Sequence, residues 1–174
     1  MAVSLAYRQR HERVKIMTYC TYTPIEMLET MFTQWDCKHK RFDSRICAAM
    51  SGHCGNYTLG FSWNRDRRIM HCYCDMSTKF EDNKLKEITE LVAVMNEKLW
   101  FGHFDLILSQ RMVTFSVSNV IQEESAYAEV LEKMIDTALI ECDRFVPAFN
   151  MVLETGISPE KAVEACLMDV EGEA

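Results

Sequence analysis

A change of hydrophobic period between Asp82 and Leu106 constrains the fold more than any other feature of the sequence. Apolar residues first recur three and four apart, which predicts an amphipathic helix with one buried stripe. Asp82 or Asn83 is expected to cap its first turn, and Gly102 to end it with a positive φ. After Gly102 the period becomes two, as in a half-buried strand. The stripe consists of Leu85, Ile88, Leu91, Val92, Met95 and Leu99.

Upstream of this segment the sequence predicts one helix and four strands. Thr23 and Pro24 suit a helix cap and a first helical position, so a helix is expected from Pro24 to near Gln34. Alternating stretches between turn-forming residues predict strands at about 36–42, 45–51, 56–64 and 68–77. We expect a sheet with one face rich in aromatic residues and the other rich in sulfur. The residues concerned are Tyr57, Phe61 and Trp63 in the third strand and Met70, Cys72, Cys74 and Met76 in the fourth.

Downstream, a hairpin and a long helix are predicted. Strands at about 103–109 and 111–120 are joined by a tight Ser109-Gln110 connection. The second strand alternates polar with apolar residues, so its polar side, with Thr114 and Ser116, is expected to face water. A helix then opens at Ser125 and keeps its period for about eight turns.

Proline and glycine residues divide the last part of the chain. Pro147 removes one backbone donor from the long helix, which predicts either a bend or two helices with a corner between them. Gly156 closes this element, and Ser158-Pro159-Glu160 begins the last helix. The whole order of elements is typical of an α+β fold, an antiparallel sheet with helices segregated to cover one face.

Length and composition favour one globular domain. The 174 residues are enough for a single good core, so we expect one domain over residues 23–174, preceded by an N-terminal arm over residues 1–22. The apolar runs are far shorter than the roughly 20 residues that span a bilayer, and no signal-peptide segment is visible. Residues 123–174 hold 13 acidic against 3 basic side chains, and such a surface repels phosphate. We expect a cytoplasmic protein that binds neither membranes nor nucleic acid.

Four stretches of the sequence, 96–106, 141–149, 156–162 and 171–174, resemble the bacterial YbjN family. The similarity covers roughly residues 24–174, is most specific in the downstream half, and is weaker around Trp63, Arg65, Asp66, Cys74 and Asp75. The stretches that carry it are Asn96-Glu97-Lys98-Leu99-Trp100-Phe101-Gly102-His103-Phe104-Asp105-Leu106, Glu141-Cys142-Asp143-Arg144-Phe145-Val146-Pro147-Ala148-Phe149, Gly156-Ile157-Ser158-Pro159-Glu160-Lys161-Ala162 and Glu171-Gly172-Glu173-Ala174.

The resemblance implies both a fold and a class of function. YbjN-like proteins are regarded as regulators of sensory transduction, and their fold is similar to that of type III secretion chaperones, which dimerise and hold segments of partner proteins. The chain is therefore expected to be a homodimer that binds a protein or peptide segment without catalysis and without a cofactor.

The alternative is a metal protein or thiol enzyme centred on the cysteine and histidine residues. His71, Cys72 and Cys74 lie together in sequence, but no Cys-x-x-Cys pair completes a zinc site, so we expect less than stoichiometric zinc. A cysteine nucleophile with His103 and Asp105 needs a thiolate held by a base, and nothing in the sequence provides that arrangement. Glu97 has the residue type of an acid or base but suits a role in holding the turn. The eight cysteines are read as reduced, mostly buried thiols.

The corner where helix gives way to strand is the candidate site. Three aromatic rings at one turn predict a buried fold nucleus, and the competing interpretation is an exposed anchor for a partner. We favour the buried nucleus, because the neighbouring Leu99 and Leu106 extend the apolar stripe. The candidate residues are Trp100, Phe101, Gly102, His103, Phe104 and Asp105.

Overall fold

The structure is a computed structural model that describes residues 22–171, so all of the predicted arm except Tyr22 lies outside the described residues. The described helices and strands follow one another in the predicted order. Two 3-10 turns, Asp82–Lys84 and Glu124–Ala126, precede the second and third helices. The elements are α1 (Pro24–Gln34), β1 (His39–Phe42), β2 (Arg45–Ser51), β3 (Asn56–Asn64), β4 (Ile69–Lys79), α2 (Leu85–Asn96), β5 (His103–Ile107), β6 (Met112–Val120), α3 (Tyr127–Asn150) and α4 (Pro159–Glu171).

The strands form one antiparallel sheet in the order β1-β2-β3-β4-β6-β5. Helices α1, α2 and α3 contact this sheet, and α4 packs on α2 and α3. The apolar stripes of the helices are buried, with Leu28, Ile88 and Leu131 fully enclosed. The predicted α+β fold is therefore confirmed. No helix within residues 22–171 is long and apolar enough to cross a bilayer.

Helix α1 has the predicted start and a sharper end than predicted. Thr23 accepts a hydrogen bond from the Glu26 amide while the Glu26 carboxylate accepts one from the Thr23 amide, which completes a capping box. At the other end Asp36 takes a φ of 54°, and the Cys37 amide donates to the Phe32 carbonyl over 2.8 Å. This left-handed cap explains why β1 begins at His39 rather than at residue 36.

The two faces of the sheet differ from the prediction. Leu59 lies directly opposite Cys74, and Phe61 directly opposite Cys72. Directly opposed residues of antiparallel strands point to the same side, so the aromatic and sulfur-containing side chains share one face. Both sets are buried beneath the helices. The expectation of separate aromatic and sulfur-rich faces is wrong, because the alternation within one strand does not fix how its neighbour is aligned.

Helix α2 starts and ends differently from the prediction. Neither Asp82 nor Asn83 provides a side-chain cap, so the predicted cap is wrong. Asp82 instead forms an ion pair with Arg111. The α-helix ends at Asn96, before Leu99, and the chain reaches Gly102 through a short turn. The amphipathic stripe from Ile88 to Met95 is buried as predicted.

Helix α3 passes through Pro147 without interruption and ends at Asn150, so the prediction of two separate helices is wrong. Proline cannot donate to the carbonyl of Asp143, four residues earlier. The Cys54 thiol donates to that carbonyl over 3.2 Å. The chain then makes π-helical turns from Met151 to Thr155 and stops at Gly156, whose φ is 69°. The helix therefore tolerates its proline because a distant loop satisfies the freed oxygen.

Candidate functional site

The corner between α2 and β5 is held by the side chain of Asn96. Its amide nitrogen donates to the Phe104 carbonyl over 3.0 Å, and its oxygen accepts from the Phe104 amide over 2.7 Å. Strand β5 is an end strand of the sheet, and the Asn96 amide satisfies both main-chain groups of this residue. Unpaired groups at a sheet edge invite another strand, so Asn96 closes part of this edge. The turn before β5 is thereby fixed to the last turn of the helix.

Gly102 gives the corner its close contact with the sheet. Its φ is 80°, a conformation that favours glycine. A Cβ atom at this position would lie 2.3 Å from the Phe115 ring and 2.8 Å from the Ser116 carbonyl oxygen. The predicted positive φ of Gly102 is confirmed. The residue does not cap the helix directly, and instead lets the turn approach the core.

Phe104 is the buried member of the corner, with 2% of its surface exposed. Its ring makes edge-to-face contacts with three other rings, at centroid distances of 5.3 Å to Phe115, 5.7 Å to Phe145 and 6.2 Å to Phe149. Edge-to-face geometry places the positive edge of one ring on the negative face of another. This cluster joins β5, β6 and α3, so Phe104 has the structural role that the sequence predicted.

Trp100 and Phe101 point away from the core. The Trp100 side chain is fully exposed and that of Phe101 is 47% exposed. The expectation that they form a buried nucleus together with Phe104 is therefore wrong. The helix ends earlier than predicted, so these two residues lie on the turn, beyond the buried stripe. A large exposed aromatic pair on a fixed turn is a feature that the core does not explain.

His103 and Asp105 lie on the sheet face that is opposite to the helices. Their side chains form an ion pair, with 3.2 Å between His103 Nε2 and Asp105 Oδ1, and both are largely exposed. Exposed pairs of this kind contribute little to stability. Glu97 is exposed on the preceding turn. The arrangement offers no buried acid or base at the corner.

The sheet face opposite to the helices is called the open face below. Its central row runs across the six strands in the order Lys40, Cys47, Gly60, Tyr73, Ser116 and His103. Ser116 is only 3% exposed, and Thr114 on the same face is 8% exposed. The expectation that this side of β6 faces water is wrong, because longer side chains on β4 and β5 flank these small residues.

Two further residues of the open face make specific contacts. His71 Nδ1 lies 2.9 Å from the Ser118 hydroxyl. The pKa of His71 is lowered, mainly by burial of the ring. The nearby Asp105 carboxylate opposes this shift, and His103 adds to it. The ring of Tyr73 lies over Gly60, where a Cβ atom would come within 2.1 Å of the ring. Tyr73 is therefore flat against the sheet and still 41% exposed.

A carboxylate that sequence reasoning missed joins α3 to the loop between β2 and β3. Asp143 Oδ2 accepts from the His53 amide over 2.8 Å, and Oδ1 accepts from the Cys54 amide over 2.9 Å and from the Tyr57 hydroxyl over 2.5 Å. Burial and the hydrogen bond to Asp143 raise the pKa of Tyr57. The partners are separated by about ninety positions, so no local pattern could have revealed them. Asp143 acts as a structural latch.

In the part of the chain that the structure describes, the cysteine and histidine residues do not converge on a reactive site. Cys72 and Cys74 point into the core, whereas His71 points to the open face. The hydrogen bond to Cys74 and burial raise the pKa of Cys142, and burial raises that of Cys72, so these thiols are held protonated. Within residues 22–171 no group of three or more His, Cys, Asp or Glu side chains is placed to hold a metal ion.

The sequence was also compared with known proteins. Residues 24–151 match the YbjN family, whose description is "Putative bacterial sensory transduction regulator". A search of curated proteins found no match. The matched region includes α1, the whole sheet, the corner and α3, and thus about three quarters of the chain. The chain belongs to the YbjN family.

Proposed function

We propose that this chain is a non-enzymatic regulatory module that holds a segment of a partner protein at the corner. One observation carries the proposal: Trp100 and Phe101 are exposed on a turn whose position is fixed by Asn96 and Gly102. Aromatic side chains of this kind dominate the binding energy of many protein interfaces. A turn that is rigid before binding loses little conformational entropy when a partner arrives. The family description, a regulator of sensory transduction, supports a role of this class.

The partner is proposed to be a protein or peptide segment with an apolar surface. Trp and Phe rings gain most from leaving water when they enter an apolar pocket or groove. The similarity to chaperones of type III secretion supports holding rather than modifying such a segment. We propose the cytoplasm as the compartment, because buried thiols such as Cys72, Cys74 and Cys142 pack as core side chains.

A quantitative capture experiment tests the proposal. The tagged wild-type chain and Trp100→Ala are expressed in the native cell, and co-purifying proteins are compared by mass spectrometry. Leu108→Ala is the matched control, because Leu108 is 50% exposed at the other end of β5. Loss of a hot-spot anchor costs about 2 kcal/mol or more, so the affinity for the partner should fall roughly thirtyfold in Trp100→Ala alone. Equal capture by wild type and Trp100→Ala would refute the corner as the binding site.

The alternative, a metal protein or thiol enzyme, has a simple discriminating measurement. The thiols of Cys72, Cys74 and Cys142 are buried, and a thiol must ionise and be reached by substrate to act as a nucleophile. We expect the reduced protein to carry less than one equivalent of zinc and to stay folded with a chelator. One tightly held equivalent, with unfolding on chelation, would favour the alternative.

Homodimerisation is proposed as well. The apolar face of the sheet is covered by the helices, so a dimer has to form through another surface. Support comes instead from the charges on the open face.

A further inference from the structure

We propose that two copies of this chain pair face to face through the open face of the sheet. Among residues 22–171 all the helices that touch the sheet contact its other side, so no described element covers the open face. A sheet of six strands spaced about 4.8 Å apart is roughly 24 Å wide. With side chains over roughly 20 Å of strand length, each copy contributes a flat area of roughly 480 Å², so the two copies together come close to the total of about 1,000 Å² that a specific interface needs.

Charge is separated across this face. At the β1–β2 end Lys40 and Arg45 flank the exposed ring of Phe42, at 5.1 Å and 5.9 Å from its centroid. At the other end Asp75 on β4 and Asp105 on β5 lie on either side of Thr114. One end of the open face is therefore basic, whereas the other end carries the two carboxylates beside Lys79 and His103.

This separation selects both the occupant and its orientation. Dimers of identical chains are usually related by a two-fold axis. An axis parallel to the strands, between β3 and β4, places the basic end of each copy over the acidic end of the other. An axis perpendicular to the strands would place like charges over each other. A second copy in the first orientation therefore brings the basic end of each copy over the acidic end of the other, with Lys40 above His103 and close to Asp105, the ion-pair partner of His103.

The centre of the open face allows two sheets to approach closely. It is made of small residues, including Thr58, Gly60 and Ser62 on β3. Tyr73 lies flat over Gly60, so its ring does not hold a second sheet away. In the two-fold arrangement the Tyr73 rings of the two copies lie next to the axis and can stack on each other. The interface is polar at its ends, so its strength should depend on salt.

A pair of charge reversals tests the proposal. Lys40→Glu should repel the acidic end of a second identical copy, and Asp105→Lys should repel the basic end. Each repulsion occurs twice in a two-fold dimer, so the dissociation constant of each variant should rise about tenfold or more. An equimolar mixture of the two variants should recover the wild-type value, because both ends then match. Lys86→Glu on α2 is the matched control, since Lys86 is 84% exposed away from the sheet.

Sedimentation velocity over a range of concentrations gives the measurement, with thermal melting to confirm that each variant is folded. If a charge variant folds poorly, Ser62→Arg serves as a second test. It adds bulk at the centre of the open face and should also weaken the dimer. Wild-type protein that stays at 20.3 kDa up to high micromolar concentration overturns the proposal. So does a dimer that resists both reversals, or a mixture that does not recover. Trp100→Ala should leave the dimer unchanged, because Trp100 is not one of the residues proposed to hold the two copies together.

Discussion

Replacing Phe104 by alanine tests the structural half of the corner. The ring is 2% exposed and lies within 5.3 to 6.2 Å of three other phenylalanine rings. Its removal leaves a cavity where β5, β6 and α3 meet. The neighbours that line this cavity belong to three elements, so they cannot close it by moving a single side chain.

The expected loss is large on the scale of a single domain. Phe→Ala substitutions in cores cost about 3–5 kcal/mol, from lost transfer energy and the remaining cavity. Loss of the ring contacts places Phe104→Ala in the upper part of that range. In a protein of this size 1 kcal/mol shifts the melting temperature by about 2–4 °C, so the melting temperature should fall by roughly 6–20 °C.

Trp100→Ala is the matched comparison, because it removes a larger ring from the same corner. Its side chain is fully exposed, so the free energy of unfolding should change by no more than about 0.5 kcal/mol. Both variants are to be compared with wild type by calorimetry and by urea unfolding. Equal destabilisation of the two variants would refute the division of the corner into a buried ring and an exposed one.

Three further predictions concern polar contacts. Asn96→Ala should lower the free energy of unfolding by about 1–3 kcal/mol, because it leaves the amide and carbonyl of Phe104 unpaired. Asn96→Asp keeps only the acceptor, so its free energy of unfolding, measured with urea, should lie between those of Asn96→Ala and wild type. No loss of stability in either variant would contradict the role of Asn96 in holding Phe104. Tyr57→Phe should lower the free energy of unfolding by about 1.5–3 kcal/mol, because it removes a hydrogen bond to the Asp143 carboxylate. If the urea midpoint of Tyr57→Phe equals that of wild type, this hydrogen bond does not stabilise the fold. Burial lowers the pKa of His71 below 6.5, so the unfolded chain binds a proton at His71 more tightly than the folded chain does. The contribution of His71 to stability is therefore present above pH 6.5 and is lost as the pH falls below it. The decrease in melting temperature from pH 7.5 to 5 should be smaller in His71→Gln than in wild type. An unchanged pH profile in His71→Gln would show that other groups cause the decrease.

Local patterns predicted most of the elements correctly. The capping residues at Thr23, the proline at position 24 and the alternation in β2 and β3 each specify a structure within a few residues. The Ser109-Gln110 connection also forms the predicted hairpin. Such signals depend only on neighbours in the sequence, which is why they can be read without knowledge of the tertiary fold.

The errors arose where a distant partner decides the outcome. The alignment of β3 with β4 placed aromatic and sulfur-containing residues on one face, and Arg111 drew Asp82 away from its capping role. The position of Trp100 depended on where α2 ends, which Asn96 and Phe104 determine together. Each of these results requires knowing which residues meet in space, and a single sequence does not contain that information.

The contacts of Asp143 show how residues that are distant in sequence compensate for a proline inside a helix. Pro147 deprives α3 of a hydrogen bond, and a proline inside a helix costs about 3 kcal/mol or more. The loop between β2 and β3 offsets part of that cost, because Cys54 donates its thiol hydrogen to the Asp143 carbonyl while two loop amides bind the Asp143 carboxylate. The helix and the sheet are thereby joined at the point where the helix is weakest. Since Phe145 and Phe149 flank Pro147 and pack on Phe104, the same part of α3 that depends on the latch also supports the corner.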